Sequence, residues 1–164
     1  MATKNSTLGF VADPVNPLDI ANKRYVDNQA GSLGGTVQAD ITVNNSIVTV
    51  PATGMSFTPQ ANTVYMLVIN MYINSDVAAD FRFKITGGAG ISGEVTLSAL
   101  GVSAGPSNVV TDITYNTTGG NEFLMVVGYI KVDADASPIQ FEFAQKTSNP
   151  GNTTLKAGSG MMAI

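Results

Sequence analysis

The chain has 164 residues and a formal net charge of −4; 12% of its residues are charged and 44% are apolar. It contains no Cys and no His, which excludes disulfides, thiolate nucleophiles, Ser-His-Asp and Cys-His pairs, and zinc or haem sites built on thiolate or imidazole. Carboxylates, amines, hydroxyls and backbone remain, a poor set for an enzyme, so the expectation is a non-enzymatic protein with no metal and no cofactor.

The eight basic residues are scattered, with only Lys23 and Arg24 adjacent. A nucleic-acid surface needs clustered Lys and Arg, so nucleic acid is not an expected partner. The best apolar run, Val64 to Ile73, is ten residues long and broken by Asn70, well short of the roughly 18 needed to span a bilayer. Met1 to Thr7 is polar and has no apolar signal core. Synthesis in a cytoplasm, without membrane association, is expected.

Residues 1–35 read differently from the rest. Pro14 and Pro17 exclude helix interior across Asp13 to Pro17. Pro17 suits a first helical position, with Asn16 as N-cap and Asp19 near the positive helix end, and a helix is predicted over 17–29. Leu18, Ala21 and Tyr25 form its apolar stripe, and glycines from Gly31 to Gly35 end it as a hinge. A helix of about three turns is marginal alone in water. It must dock, either on its own domain or on copies of the chain.

From Thr36 the period becomes two. Strands are predicted at Ile41 to Asn44, Ile47 to Val50, Val64 to Ile73, Asp80 to Thr86, Glu94 to Ser98, Val109 to Thr114, Phe123 to Val132, Ile139 to Gln145 and Met161 to Ile164. Turn clusters such as Asn74-Ser75-Asp76, Gly119-Gly120-Asn121 and Asn149-Pro150-Gly151-Asn152 separate them. With no helical period between, residues 36–164 read as one all-β domain, an antiparallel sandwich or barrel of about eight strands. Strands 64–73 and 123–132 are apolar on both faces. The second face needs cover from barrel closure, from the N-terminal helix or from another subunit.

Three motifs point to chemistry weakly. Gly88-Ala89-Gly90-Ile91-Ser92-Gly93 matches the dinucleotide fingerprint, but a strand pattern follows where a helix must open; a glycine-rich hairpin loop is the expectation. Asp133 with Asp135, and Asp76 with Asp80, are the close carboxylate pairs, too few for a calcium site of six to eight oxygens. Twelve acidic residues always allow some glycosidase-like pair, which neither supports nor excludes that activity. Sugar-binding faces stack saccharides on exposed rings, whereas the Phe residues here fall at core phase.

The C-terminal stretch Phe141-Glu142-Phe143-Ala144-Gln145, a Thr-rich turn through Thr153-Thr154, and the bend Gly158-Ser159-Gly160 before Met161 to Ile164 resemble the closing hairpin of β-sandwich domains in tailed-phage structural proteins. Phe81 to Ile85 and Gly128 to Val132 fit earlier strands of such a domain. Asp13-Pro14 followed by Pro17-Leu18-Asp19-Ile20-Ala21-Asn22-Lys23-Arg24-Tyr25-Val26-Asp27 is similar to a segment near the start of phage fibre and head-attached proteins. The resemblance implies a jelly-roll-like sandwich, preceded by an extended arm and one short helix, in a homotrimer on the capsid exterior. The implied role is capsid decoration, bridging subunits of the major capsid protein; a head-fibre or short tail-fibre component is the alternative. Residues 1–16, about 50 Å when extended, would lie on the capsid through Phe10, Val11, Pro14 and Val15. Leu18, Ala21 and Tyr25 would pack the trimer. A carbohydrate-binding module, a small glycoside hydrolase and a tumour-necrosis-type ligand are the competing classes.

Overall fold

A computed structural model describes residues 33–99 and 102–164. The expected arm, the helix over 17–29 and their residues Phe10, Val11, Pro14, Val15, Leu18, Ala21 and Tyr25 lie outside the described residues. Within them the chain forms twelve strands: β1 (Leu33–Thr36), β2 (Ile41–Asn44), β3 (Val50–Phe57), β4 (Thr63–Ser75), β5 (Phe81–Thr86), β6 (Ile91–Ala99), β7 (Val102–Asn108), β8 (Ile113–Tyr115), β9 (Gly120–Val132), β10 (Ile139–Ala144), β11 (Asn152–Leu155) and β12 (Gly160–Ala163).

All pairings are antiparallel and fall into two open sheets. The smaller has the order β3-β10-β5-β8; the larger runs β1-β12-β4-β9-β6-β7, with β11 joining β4 to β2. Period-two burial makes this a sandwich. On β5, Phe81, Phe83 and Ile85 are buried while Arg82 and Lys84 are not, as the alternation predicts. Phe81 stacks on Phe143 of β10 at 5.8 Å and Phe83 on Phe141 at 5.5 Å. These four rings share one core cluster with Leu67, Ile69 and Met71 of β4 and Leu124 and Val126 of β9.

One edge of β4 is shared. Leu67 to Asn70 pair with β12 and Ile73 to Ser75 with β11. In the gap, the Tyr72 amide donates to Ser159 Oγ at 3.0 Å, and its carbonyl accepts from the Lys156 amide at 2.8 Å. The long strand thus keeps its backbone satisfied while its neighbour changes.

Several expectations are corrected. The strand expected at Ile47 to Val50 begins at Val50 and runs to Phe57; Pro51 and Gly54 disguise it, and its edge position tolerates a proline. Of Val109 to Thr114, only Ile113 and Thr114 are in a strand, β8. β7 was not expected, because Gly105 and Pro106 interrupt its pattern. The expected Thr-rich turn is strand β11. Gly88 to Gly93 is not a hairpin loop: β5 and β6 belong to different sheets, so it crosses between them and enters β6 directly. Leu33, Gly34 and Gly35 lie in β1, paired with β12.

Candidate functional site: the outer face of the larger sheet

The inner face of β4 and β9 is core. Their outer face carries large apolar residues in cross-strand rows. Ile164 pairs with Met66 through two backbone hydrogen bonds, and Met66 stands opposite Tyr129. The next row is Met162, Val68, Val127 and Thr96; the one after is Gly160, Asn70, Met125 and Ser98. Val64 is 60% exposed, Met66 50% and Ile164 59%. Charge enters only at the margin, through Lys131 beside Val64 and Glu94 beside Tyr129. Strand spacing and rise give this patch a projected area of about 400 Å², the size at which an exposed apolar patch is often functional. The sheet is open, so barrel closure does not supply the cover that the sequence calls for.

Beyond Asn70 the face changes character. Tyr72 and Phe123 pair across β4 and β9 with ring centroids 5.0 Å apart, tilted by 48°. They help line a cleft of about 700 Å³ with Tyr115, Thr118, Asn121, Glu122, Lys156 and Ala157. Its charges are internally matched. The Lys156 ammonium lies 2.6 Å from Asp40 Oδ2, and the Ala157 amide donates to Asp40 Oδ1 at 2.9 Å. These two bonds, Lys156 first, hold the Asp40 carboxyl below the usual carboxylate range. The Tyr115 hydroxyl donates to Glu122 Oε2 at 2.7 Å, and the Thr118 amide donates to Glu122 Oε1 at 2.8 Å. Burial, reinforced by Glu122, pushes the Tyr115 hydroxyl up to about 12.

Each of the paired aspartates of the sequence has a partner within the fold, and Asp76 and Asp135 close local turns. Asp133 pairs with Lys131 at 3.0 Å. Asp135 accepts from the Ser137 amide and hydroxyl, which hold its carboxyl low. Asp76 accepts from the Ala78 amide, and Asp80 from the Thr117 amide with Lys146 nearby. Among the described residues no three metal-ligating side chains cluster.

The C-terminal signature is architectural. Gln145 is fully buried; its Oε1 accepts from the Ser46 and Asn149 amides, and its Nε2 donates to the Asn149 and Gly151 carbonyls. Thr153 and Ser75 hydroxyls meet at 2.7 Å in the interior, and Ser159 closes the gap beside Tyr72. The Gln, Thr and Ser of that signature therefore hold strands together and are not exposed for a partner.

The chain matches no protein-family model and no curated protein. Outer face and cleft therefore stand on their own chemistry. The cleft escaped sequence reasoning because Tyr72, Phe123 and Lys156 are distant in sequence and meet only through the β4–β9 and β4–β11 pairings. The Phe expectation holds for Phe57, Phe81, Phe83, Phe141 and Phe143, which are buried; Phe123 is half-buried, on the outer face.

Proposed function

We propose that this chain is a virion structural protein of the tailed-phage kind, a capsid decoration protein that assembles as a homotrimer and binds the major capsid protein. The observation that carries the reading is the apolar, nearly charge-free outer face of β12, β4 and β9. A charge-depleted apolar centre with a polar rim of Thr96, Ser98 and Thr36, joined at the margin by Lys131 and Glu94, is the composition of a protein–protein contact. Strand order supports the jelly-roll form. Setting aside β2, β6, β7 and β11 and renumbering the other eight, the sheets become 1-8-3-6 over 2-7-4-5, the double Greek-key arrangement of the jelly roll, a fold of viral capsid domains. A scaffold of satisfied turns and buried hydroxyls, serving cohesion and not catalysis, agrees with the absence of His and Cys.

Light scattering on the purified protein tests the assembly: the expected mass is about 51 kDa, three times 17.0 kDa, and a 17.0 kDa particle overturns it. Capsid binding is tested by deleting residues 1–30; the truncated protein should keep its fold and lose binding to empty capsids. Unchanged binding overturns the role given to that segment. A fibre component is the second reading, favoured by the Tyr72–Phe123 cleft. Copy number in purified particles separates the two, hundreds for decoration and about a dozen for a fibre.

A further inference from the structure

We infer that the cleft around Tyr72 and Phe123 is a binding site for a neutral saccharide ring, a function separate from assembly. Its size lies in the range of sites that hold a small ligand, roughly 300–1,000 Å³. The two rings are tilted by 48°, so they form a trough and not a flat platform. A pyranose presents an apolar C–H face and an equatorial belt of hydroxyls. Its C–H face fits against one ring of the trough, an aromatic surface with one apolar side and a polar surround.

The polar groups select the class. Lys156 is paired with Asp40, and Glu122 is occupied by Tyr115 and Thr118, so neither charge is left without a counterpart. An anion would have to displace Asp40 from Lys156 and would face Glu122; a cation would face Lys156. A wholly apolar ligand would strip water from amides without replacing its hydrogen bonds. What the cleft offers is neutral. Asn121 Oδ1 accepts from Asn74 Nδ2 at 2.9 Å, and among the described residues Asn121 Nδ2 and the Thr118 hydroxyl have no protein partner. A donor amide and a hydroxyl beside an aromatic trough complement sugar hydroxyls.

The site is distinct from the centre of the assembly face, although Phe123 lies two residues along β9 from Met125 in its last row. Tyr72 lies four residues along β4 from Val68, about 13 Å at strand rise, with polar Asn70 between.

The test is saturation-transfer NMR on the full chain. The probes are methyl glycosides of glucose, galactose, mannose and N-acetylglucosamine, with N-acetylneuraminic acid and glucosamine as charged controls. At least one neutral glycoside should bind saturably in the millimolar range. Phe123→Ala and Thr118→Val should each weaken that binding tenfold or more. Thr118→Val keeps side-chain shape, so its effect is read on a folded protein even if Phe123→Ala unfolds. The inference is overturned if no neutral glycoside saturates, if a charged control binds more tightly, or if Thr118→Val and a folded Phe123→Ala leave binding unchanged. None of these outcomes depends on the mass of the particle, so this site and the assembly fail separately.

Discussion

Met66 on β4 and Tyr129 on β9 stand directly opposite each other on the outer face, 50% and 46% exposed. A cross-strand pair of this kind stabilises a sheet by roughly 0.2–1 kcal/mol, yet half of each side chain still faces water. Val127, one row along and flanked by Val68, sits near the middle of the patch. Val127→Lys places a charge there without touching the core. The expected outcome is loss of the oligomer, with a particle of 17.0 kDa in light scattering and an unchanged far-UV circular dichroism spectrum. A persistent oligomer would move the contact to another surface.

Gln145 predicts a different outcome, a loss of stability with no effect on assembly. Its side chain is fully buried and makes four hydrogen bonds, tying Ser46 to the loop from Asn149 to Gly151. Gln145→Leu keeps volume and removes all four. Unsatisfied buried groups cost about 1–3 kcal/mol each, and the loop can expose some of them to solvent, so a loss of about 3 kcal/mol is expected. Urea unfolding measures it, and a shift below about 1 kcal/mol would show that water replaces the amide.

How much of this was legible in the sequence depended on what each strand packs against. β5 and β10 carry their faces openly, because aromatic residues alternate with polar ones. β4 and β9 were legible even in their need for cover, since no alternation hides Val64, Met66, Val127 or Tyr129. β3 was shifted because Pro51 breaks a strand pattern everywhere except at an edge, and β3 is an edge. β11 was invisible for another reason. Thr153 and Thr154 are buried by hydroxyl–hydroxyl contacts with Ser75 and Thr42, and a period search looks for apolar side chains. The trough of Tyr72 and Phe123 needed the β4–β9 register, which no local pattern encodes.

Glu142 makes stability depend on pH. Burial alone would raise its carboxyl, but hydrogen bonds from Thr49 at 2.7 Å and Thr86 at 3.2 Å, with Lys84 at 3.5 Å, outweigh it and hold the group below its ordinary 4.5. The sign follows from linkage: the folded state favours the ionised form, so this contribution is complete above the unfolded value of 4.5 and fades as pH falls through the lower folded value. Glu142→Gln should therefore be less stable than wild type at pH 7, with the gap narrowing as pH drops below about 4. Urea midpoints for both proteins across that range check it; a gap constant with pH would show that the charge of Glu142 contributes nothing.

Two glycines of β9 should respond unequally to the same change. At Gly128 a Cβ would lie 2.1 Å from the Glu94 carbonyl oxygen and 2.6 Å from Val95 Cα, and at Gly93 on the facing strand it would lie 2.1 Å from the Tyr129 carbonyl oxygen. β6 and β9 approach there backbone to backbone, beside the bulge that shifts β6 against β7 between Val95 and Leu97. Backbone cannot step aside as a side chain end can, so Gly128→Ala must part the two strands. A loss of about 3 kcal/mol or more is expected. At Gly120 nothing lies within 4 Å, and the φ of 88° is the sole obstacle, worth about 1–2 kcal/mol for an L residue. Urea unfolding of the two variants decides the matter: a loss at Gly128 no larger than that at Gly120 would mean that the close approach of β6 and β9 does not require a glycine there.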